Sequence, residues 1–289
     1  MTAFQTKTDL QGMLEAAGFS PRKRYGQNFL IDQNLMRKLV DSAELADEDC
    51  VLEVGAGTGS LTSMLARAAG RVVAVEIDRG LARLAAEHLS PLRNVDLITA
   101  DALDNKSTVS RELEGALRQA GGRPGGPLKM VANLPYDIAT PLVMNLLLGD
   151  LPFRRLCFTV QTEVADRFLA GPGTPAYGPV GIVTQLIATG RRVCRVPPQA
   201  FWPAPKVRST MLRLDVREPS TIPIADPADF ARFVRSFFQH RRKTITHTAR
   251  RLEGADQLLA AICRIGLSPD ARPETLSLQR WVELYLAKG

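Results

Sequence analysis

Four short apolar runs, residues 50–54, 71–77, 95–99 and 129–132, organise the first half of the chain, with helical patterns between them. A run that is apolar without alternation is a strand buried on both faces, which a sheet with one wet face does not provide. Strands alternating with helices at this spacing predict an α/β fold with a mostly parallel, doubly wound sheet. Ligands of such sheets gather at the carboxyl ends of the strands. Glu53, Gly55, Glu76, Asp101 and Asn133 all fall at those ends.

The intervening helices are read at 61–69 and 80–89. An earlier one starts at Asp32 as N-cap, with Leu35, Met36, Leu39 and Val40 at helical spacing. Residues 105–127 interrupt the alternation with a helix over 109–117 and a Gly/Pro loop over 121–127. Further strands are expected at 154–160, 181–189 and 211–216, the last paired with the segment around 193–196. A Pro-containing polar stretch at 218–227 marks the domain boundary. The expected division is therefore 1–217, and 218–289 as a small all-α C-terminal domain.

Apolar residues make up 45% of the 289 and charged residues 23%, enough for a packed core and too ordered a mix for a disordered chain. The net charge of +7 favours an anionic partner without choosing among nucleic acid, membrane and plain solubility. Cys50, Cys157, Cys194 and Cys263 form no C-x-x-C pair, so no zinc or redox motif is read. Cys50, Cys157 and Cys263 have apolar neighbours and are expected to be buried, reduced thiols, as in a cytoplasmic protein. No apolar run approaches the ~18 residues of a membrane span, and no secretory leader is visible.

Glu53-Val54-Gly55-Ala56-Gly57-Thr58-Gly59 is a glycine-rich turn from strand to helix, where backbone must bend sharply and approach a ligand. Its window ends in Ser60, where a dinucleotide fingerprint has Gly or Ala. Glu76, about twenty positions on, can accept both hydroxyls of a ribose. That pairing suits NAD and S-adenosylmethionine equally, because both carry adenosine. Asp101 is either an acceptor for the adenine amine or an ordinary turn residue.

Asn133-Leu134-Pro135-Tyr136 follows the fourth strand and separates those readings. The exocyclic amine of adenine is a poor nucleophile because its lone pair is delocalised into the ring. The Asn133 side-chain oxygen and the Leu134 carbonyl can each take one N6 hydrogen and aim the nitrogen at a methyl donor. Pro135 biases Leu134 away from helix, and Tyr136 offers a face on which a flipped base can stack. Neither a metal nor a general base is needed.

These motifs, with Arg24-Tyr25-Gly26-Gln27-Asn28-Phe29-Leu30, Glu163-Val164-Ala165-Asp166-Arg167, Ala176-Tyr177-Gly178, Ala200-Phe201-Trp202-Pro203-Ala204-Pro205-Lys206-Val207 and Phe238-Gln239-His240-Arg241-Arg242-Lys243-Thr244, run through nearly the whole chain. In them the sequence resembles the bacterial small-subunit (16S) ribosomal RNA adenine N6,N6-dimethyltransferases, the kasugamycin-sensitivity family. The resemblance implies a Rossmann-like class I methyltransferase domain that uses S-adenosyl-L-methionine. It implies methyl transfer to N6 of adenosines, two adjacent ones, in small-subunit rRNA, and a part in subunit biogenesis. Cofactor contacts are then expected from Asn28, Leu30, Glu53, Gly55, Gly57, Glu76, Asp101 and Asn133. Phe201 is expected to oppose Tyr136 across the target adenine. The chain departs from the family pattern at Ala56 (usually Pro), Asp137 (Asn), Arg208 (Asp) and His240 (Arg), and in its longer 105–127 segment.

Residues 230–252 contain seven Lys or Arg and no acid. Phosphate neutralisation dominates nucleic-acid affinity, so Arg241, Arg242 and Lys243 are candidate RNA contacts, with Arg22, Lys23 and Arg24 as a second group. The alternative for any charge run is a solvated helix face. The protein is expected to act as a cytoplasmic monomer on ribosomal RNA, away from membranes. Competing readings are a 23S rRNA adenine methyltransferase of the macrolide-resistance type, an NAD-dependent oxidoreductase, and a non-catalytic RNA-binding assembly or transcription factor.

Overall fold

The computed structural model describes residues 7–20, 26–121 and 127–288. In chain order the elements are α1 (Lys7–Ala16), β1 (Phe29–Leu30), α2 (Gln33–Ser42), β2 (Cys50–Val54), α3 (Ser60–Ala68), β3 (Arg71–Val75), α4 (Arg79–Leu89), β4 (Val95–Ile98), β5 (Leu103–Asn105), β6 (Thr108–Val109), α5 (Arg111–Gly121) and β7 (Leu128–Asn133). They continue with α6 (Ala139–Leu148), β8 (Phe153–Gln161), α7 (Thr162–Leu169), α8 (Pro179–Ile187), β9 (Ala188–Val196), β10 (Phe201–Trp202), β11 (Ser209–Val216), α9 (Pro227–Phe238), α10 (Ile245–Ala249), α11 (Ala255–Arg264) and α12 (Leu278–Ala287). The chain splits into two compact units, Met1–Ala165 with Arg191–Val216, and Asp166–Gly190 with Arg217–Gly289.

The first unit is built on a sheet of order β4-β3-β2-β7-β8-β11-β9. Its left half is parallel: Val51 pairs with Val72 and Lys129, and Ala132 with Phe158. In this sheet β11 runs antiparallel to β8, with Leu212 opposite Phe158. All five residues of β2 are buried, as an unbroken apolar strand between two helical layers must be. Asp32 caps α2 by accepting from the amides of Asn34 and Leu35, and Asp78 does the same for α4 through Gly80 and Leu81.

Near the amino ends of β2, β7 and β8 lies a network of charges that runs from the buried Asp49 to the exposed Glu44. Lys129 Nζ donates to Asp49 Oδ2 at 2.7 Å and to the Glu44 carbonyl at 2.7 Å. Arg213 and Arg155 both reach Glu44 and Asp215. These contacts tie the end of α2 to β7, β8 and β11.

The second unit is helical. Phe233, Phe237 and Trp281 interlock edge to face across α9 and α12, with ring centroids 5.2 to 6.3 Å apart. The Tyr177 hydroxyl donates to the Leu276 carbonyl at 2.8 Å inside this core.

Several readings from sequence alone change. Residues 181–189 are not a strand. Pro179 starts α8, which is apolar on nearly every side and buried within the second unit, and β9 begins only at Ala188. A short apolar run rich in β-branched residues has no period that separates a buried helix from a buried strand. The second unit accordingly comprises Asp166–Gly190 as well as the segment from Arg217 onward, because α8 packs on α9. Cys263 is exposed, on the outer side of α11, whereas Cys50 and Cys157 are buried. Residues 103–109 form a small hairpin not foreseen from sequence, and the expected helix runs over Arg111–Gly121. The Gly/Pro loop falls mostly outside the described residues. No described helix is long and apolar enough to cross a membrane.

Asp49 is almost wholly buried, and removing its cation leaves an uncompensated charge. Lys129→Met is expected to cost about 3–5 kcal/mol in urea unfolding, with Lys129→Met/Asp49→Asn recovering part of the loss.

Candidate functional site

The end of β2 turns through Gly55, Gly57 and Gly59, all at positive φ (82°, 59° and 84°). At Gly55 a Cβ would come 3.3 Å from the ring of Pro135, and at Gly57 3.2 Å from the ring of Phe29. Both positions therefore need glycine twice over, for conformation and for close approach. The loop is anchored sideways to the next strand. Gly55 N and Ala56 N donate to the Val75 carbonyl at 2.9 and 3.2 Å.

Glu76, at the end of β3, completes that anchor. Its Oε2 accepts from Gly57 N at 2.8 Å and its Oε1 from Asp78 N at 2.9 Å. Burial pushes its pKa up, opposed by those amides. Each carboxylate oxygen retains a further lone pair for a ligand hydroxyl.

The acceptor loop follows β7. Asn133 Nδ2 donates to the Asn28 carbonyl at 2.9 Å. That bond orients the amide and commits Oδ1 to the acceptor role. Asn133 Oδ1 is buried and has no hydrogen-bond partner among the described residues. An orphaned buried acceptor costs on the order of 1–3 kcal/mol, a penalty that a bound donor relieves. Ile138 N closes a turn onto the Pro135 carbonyl at 3.3 Å. The Tyr136 hydroxyl bonds Ser209 Oγ at 2.8 Å, which fixes one edge of its ring; burial raises the phenol pKa.

These elements enclose a cavity of about 350 Å³, within the range of small-ligand sites. Asn28, Leu30, Glu53, Gly55, Gly57, Glu76, Asp101, Asn133, Leu134, Pro135 and Tyr136 all line it, so residues from four strand ends (β2, β3, β4 and β7) and the N-terminal segment converge. Asp101 Oδ1 accepts from Leu103 N at 3.0 Å in a turn, and the residue also lines the cavity.

Phe201 is not on the cavity wall. It is 2% exposed in the core of the first unit, on β10, paired in register with Leu30. Its neighbour Trp202 instead stacks on Phe29, with centroids 6.4 Å apart. An apolar aromatic next to a short strand gains more by burial than by facing solvent, which the motif alone does not reveal.

The wall also contains residues that sequence reading passed over, among them Phe29, Ile77 and Ile138. Ile77 is 40% exposed. Its place directly after a strand-end acid was the available signal, since ligands of such sheets gather at the carboxyl ends of the strands.

In the second unit Arg241 donates to the Pro175 carbonyl at 3.0 Å, while Arg242 and Lys243 are exposed and have no ion-pair partner among the described residues. Arg250 and Arg251 are exposed as well. These cations act together on His247, whose pKa is lowered by desolvation first and then by Arg251, Lys243, His240 and Arg250. Arg232 differs, being paired with Asp226 and Asp229. Arg22, Lys23 and Arg24 lie outside the described residues.

The family model described as ribosomal RNA adenine dimethylase matches residues 18–288. A ribosomal RNA small subunit methyltransferase A of Streptococcus pneumoniae is 37% identical over 95% of this chain and 94% of its own. The protein of that name from a Geobacillus species is 39% identical over 94% and 93%. Among solved structures, a dimethyladenosine transferase from Plasmodium falciparum superposes with a TM-score of 0.74 at 23% identity, over 88% of this chain and 95% of that one, and shares the fold. The 23S rRNA methyltransferase ErmE gives a TM-score of 0.66 at 25% identity, over 90% and 99%. With a cavity built from the glycine loop, Glu76 and the Asn133–Tyr136 turn, and a match over nearly its full length, the chain belongs to the ribosomal RNA adenine dimethylase family.

Proposed function

We propose that this protein transfers methyl groups from S-adenosyl-L-methionine to the N6 amine of adenosines, two adjacent ones, in 16S rRNA, giving N6,N6-dimethyladenosine during small-subunit biogenesis. The observation that carries the reading is the Asn133 amide: its nitrogen is held by the Asn28 carbonyl, and its buried oxygen is left for a donor on the ligand.

When bound, the cofactor supplies an electrophilic methyl carbon. Glu76 holds the ribose hydroxyls, and Asp101 and Ile77 border the adenine end. Asn133 Oδ1 and the Leu134 carbonyl each accept one N6 hydrogen of the target base. Drawing on both hydrogens raises electron density on nitrogen and stabilises the positive charge that grows as it attacks. Tyr136, braced by Ser209, presents its ring to the extruded base. The amine proton leaves to water after transfer. Phe201 supports the β1–β10 pair from beneath in this reading.

Arg242 and Lys243, with Arg250 and Arg251, neutralise RNA phosphates. The small-subunit substrate is favoured over the 23S alternative by relatives at 37–39% identity that are named for the small subunit. The oxidoreductase reading leaves the orphaned Asn133 oxygen without a role. The protein is taken to work as a monomer in the cytoplasm.

Incubation with labelled S-adenosylmethionine and undermethylated small subunits is expected to label dimethyladenosine in 16S rRNA; labelling of 23S rRNA instead would overturn the assignment. Asn133→Ala should lower kcat by about 100-fold or more in the same assay, while costing only about 1 kcal/mol of stability for the lost bond to Asn28. Arg242→Gln/Lys243→Gln should weaken RNA binding and reduce the slope of log K against log salt by roughly 1.5, with cofactor affinity unchanged by calorimetry.

A further inference from the structure

Glu53 is a carboxyl group without a counter-charge. It is the penultimate residue of β2, is 1% exposed, and borders the cavity. Its Oε2 has no hydrogen-bond partner among the described residues. The charged group that acts on it is another carboxylate, Glu76 from the end of β3. From α3 the Thr62 hydroxyl favours the ionised form, yet neither Thr62 Oγ1 nor Glu53 Oε2 closes a hydrogen bond of ordinary geometry. From β7, the cavity is met by Asn133, which is uncharged. Burial holds the Glu53 carboxyl at about 8, so it is mostly protonated at pH 7.

The sheet order says what would lie over it. β2 sits between β3 and β7. If the ribose is held at Glu76 and the methyl group faces Asn133, the part of the donor that joins them crosses the end of β2. In S-adenosylmethionine that part carries the sulfonium and, on its side chain, an ammonium. Resting on the methyltransferase reading above, we propose that Glu53 is a neutral acid in the free protein that gives up its proton when the cationic methyl donor enters, so that binding exchanges a proton for a buried ion pair. The Glu53 carboxyl O–H bond breaks, its electron pair stays on oxygen, and the proton passes to solvent.

The sign follows directly. Below pH 8 the free protein must lose a proton to bind, so the Kd for S-adenosylmethionine falls as pH rises, by up to about tenfold per unit, and levels off above about 8. Glu53 is thereby a positioning residue for the donor, since its charge appears only opposite the sulfonium end.

Isothermal calorimetry with S-adenosylmethionine at pH 7, in buffers of low and high ionisation enthalpy, counts the protons released. Wild type is expected to release close to one proton more than Glu53→Gln. The ligand's own ammonium is already mostly protonated at pH 7, so it adds little to the difference. Gln mimics the neutral acid, so the melting temperature should hardly move. The uncharged thioether 5′-methylthioadenosine should give no difference between the two proteins. Equal proton counts with S-adenosylmethionine overturn the inference alone. Should Glu53→Gln fail to fold, a wild-type Kd that is flat between pH 6 and 8 overturns it equally. Failure of wild type to bind S-adenosylmethionine at all defeats the methyltransferase reading first, and the two failures are thus distinct.

Discussion

The Glu76 carboxylate is the joint on which the site depends. By accepting from Gly57 N and Asp78 N it fastens the glycine loop after β2 to the turn after β3. The Gly55 and Ala56 amides on the Val75 carbonyl hold the first part of that loop, and the Glu76 carboxylate holds Gly57 beyond it, limiting the freedom that its glycines would otherwise keep. The same group remains able to accept a ligand's hydroxyls, so one buried carboxylate serves both the apo fold and recognition. The Asn28–Asn133 contact is the matching joint on the other side of the cavity, between the N-terminal segment and β7. Under the proposed function these two joints stand at the donor end and the acceptor end of the cavity, whose relative placement in-line transfer requires.

The three carboxylates near the strand ends differ because their surroundings differ. Glu76 is satisfied by amides, Asp101 is exposed and caps a turn, and Glu53 is sealed against α3 with no cation. Glu44, by contrast, lies open beside Arg155 and Arg213, which hold its carboxyl down at about 2. Placement relative to solvent and to cations, not residue type, sets these roles.

Much of the catalytic unit was legible because its signals are local. Continuous apolar runs mark doubly buried strands, Asp32 announces its helix by capping, and the glycines stand where the backbone must turn. The residues bordering the cavity were legible for a second reason: a parallel sheet brings its strand ends together, so acids and amides at those positions converge whatever lies between. The helix over Pro179–Ile187 was not legible. Val, Ile and Thr dominate it, and its burial within the second unit, which overrides their preference for strands, has no signature in the chain. The burial of Phe201 was not legible for a related reason, because a motif names a residue but not how it packs.

The amino-acid sequence by itself determined the parallel sheet, the glycine turn, the acceptor tetrad and the basic stretch of the C-terminal part, since each rests on short-range spacing and on the chemistry of adjacent residues. Tertiary structure alone decided that Asp166–Gly190 joins the helical unit, that Asn133 turns its oxygen away from Asn28, and that Glu53 Oε2 has no hydrogen-bond partner among the described residues. Those outcomes depend on which distant segments meet and on what water is excluded when they do, and burial of that kind cannot be read along the chain.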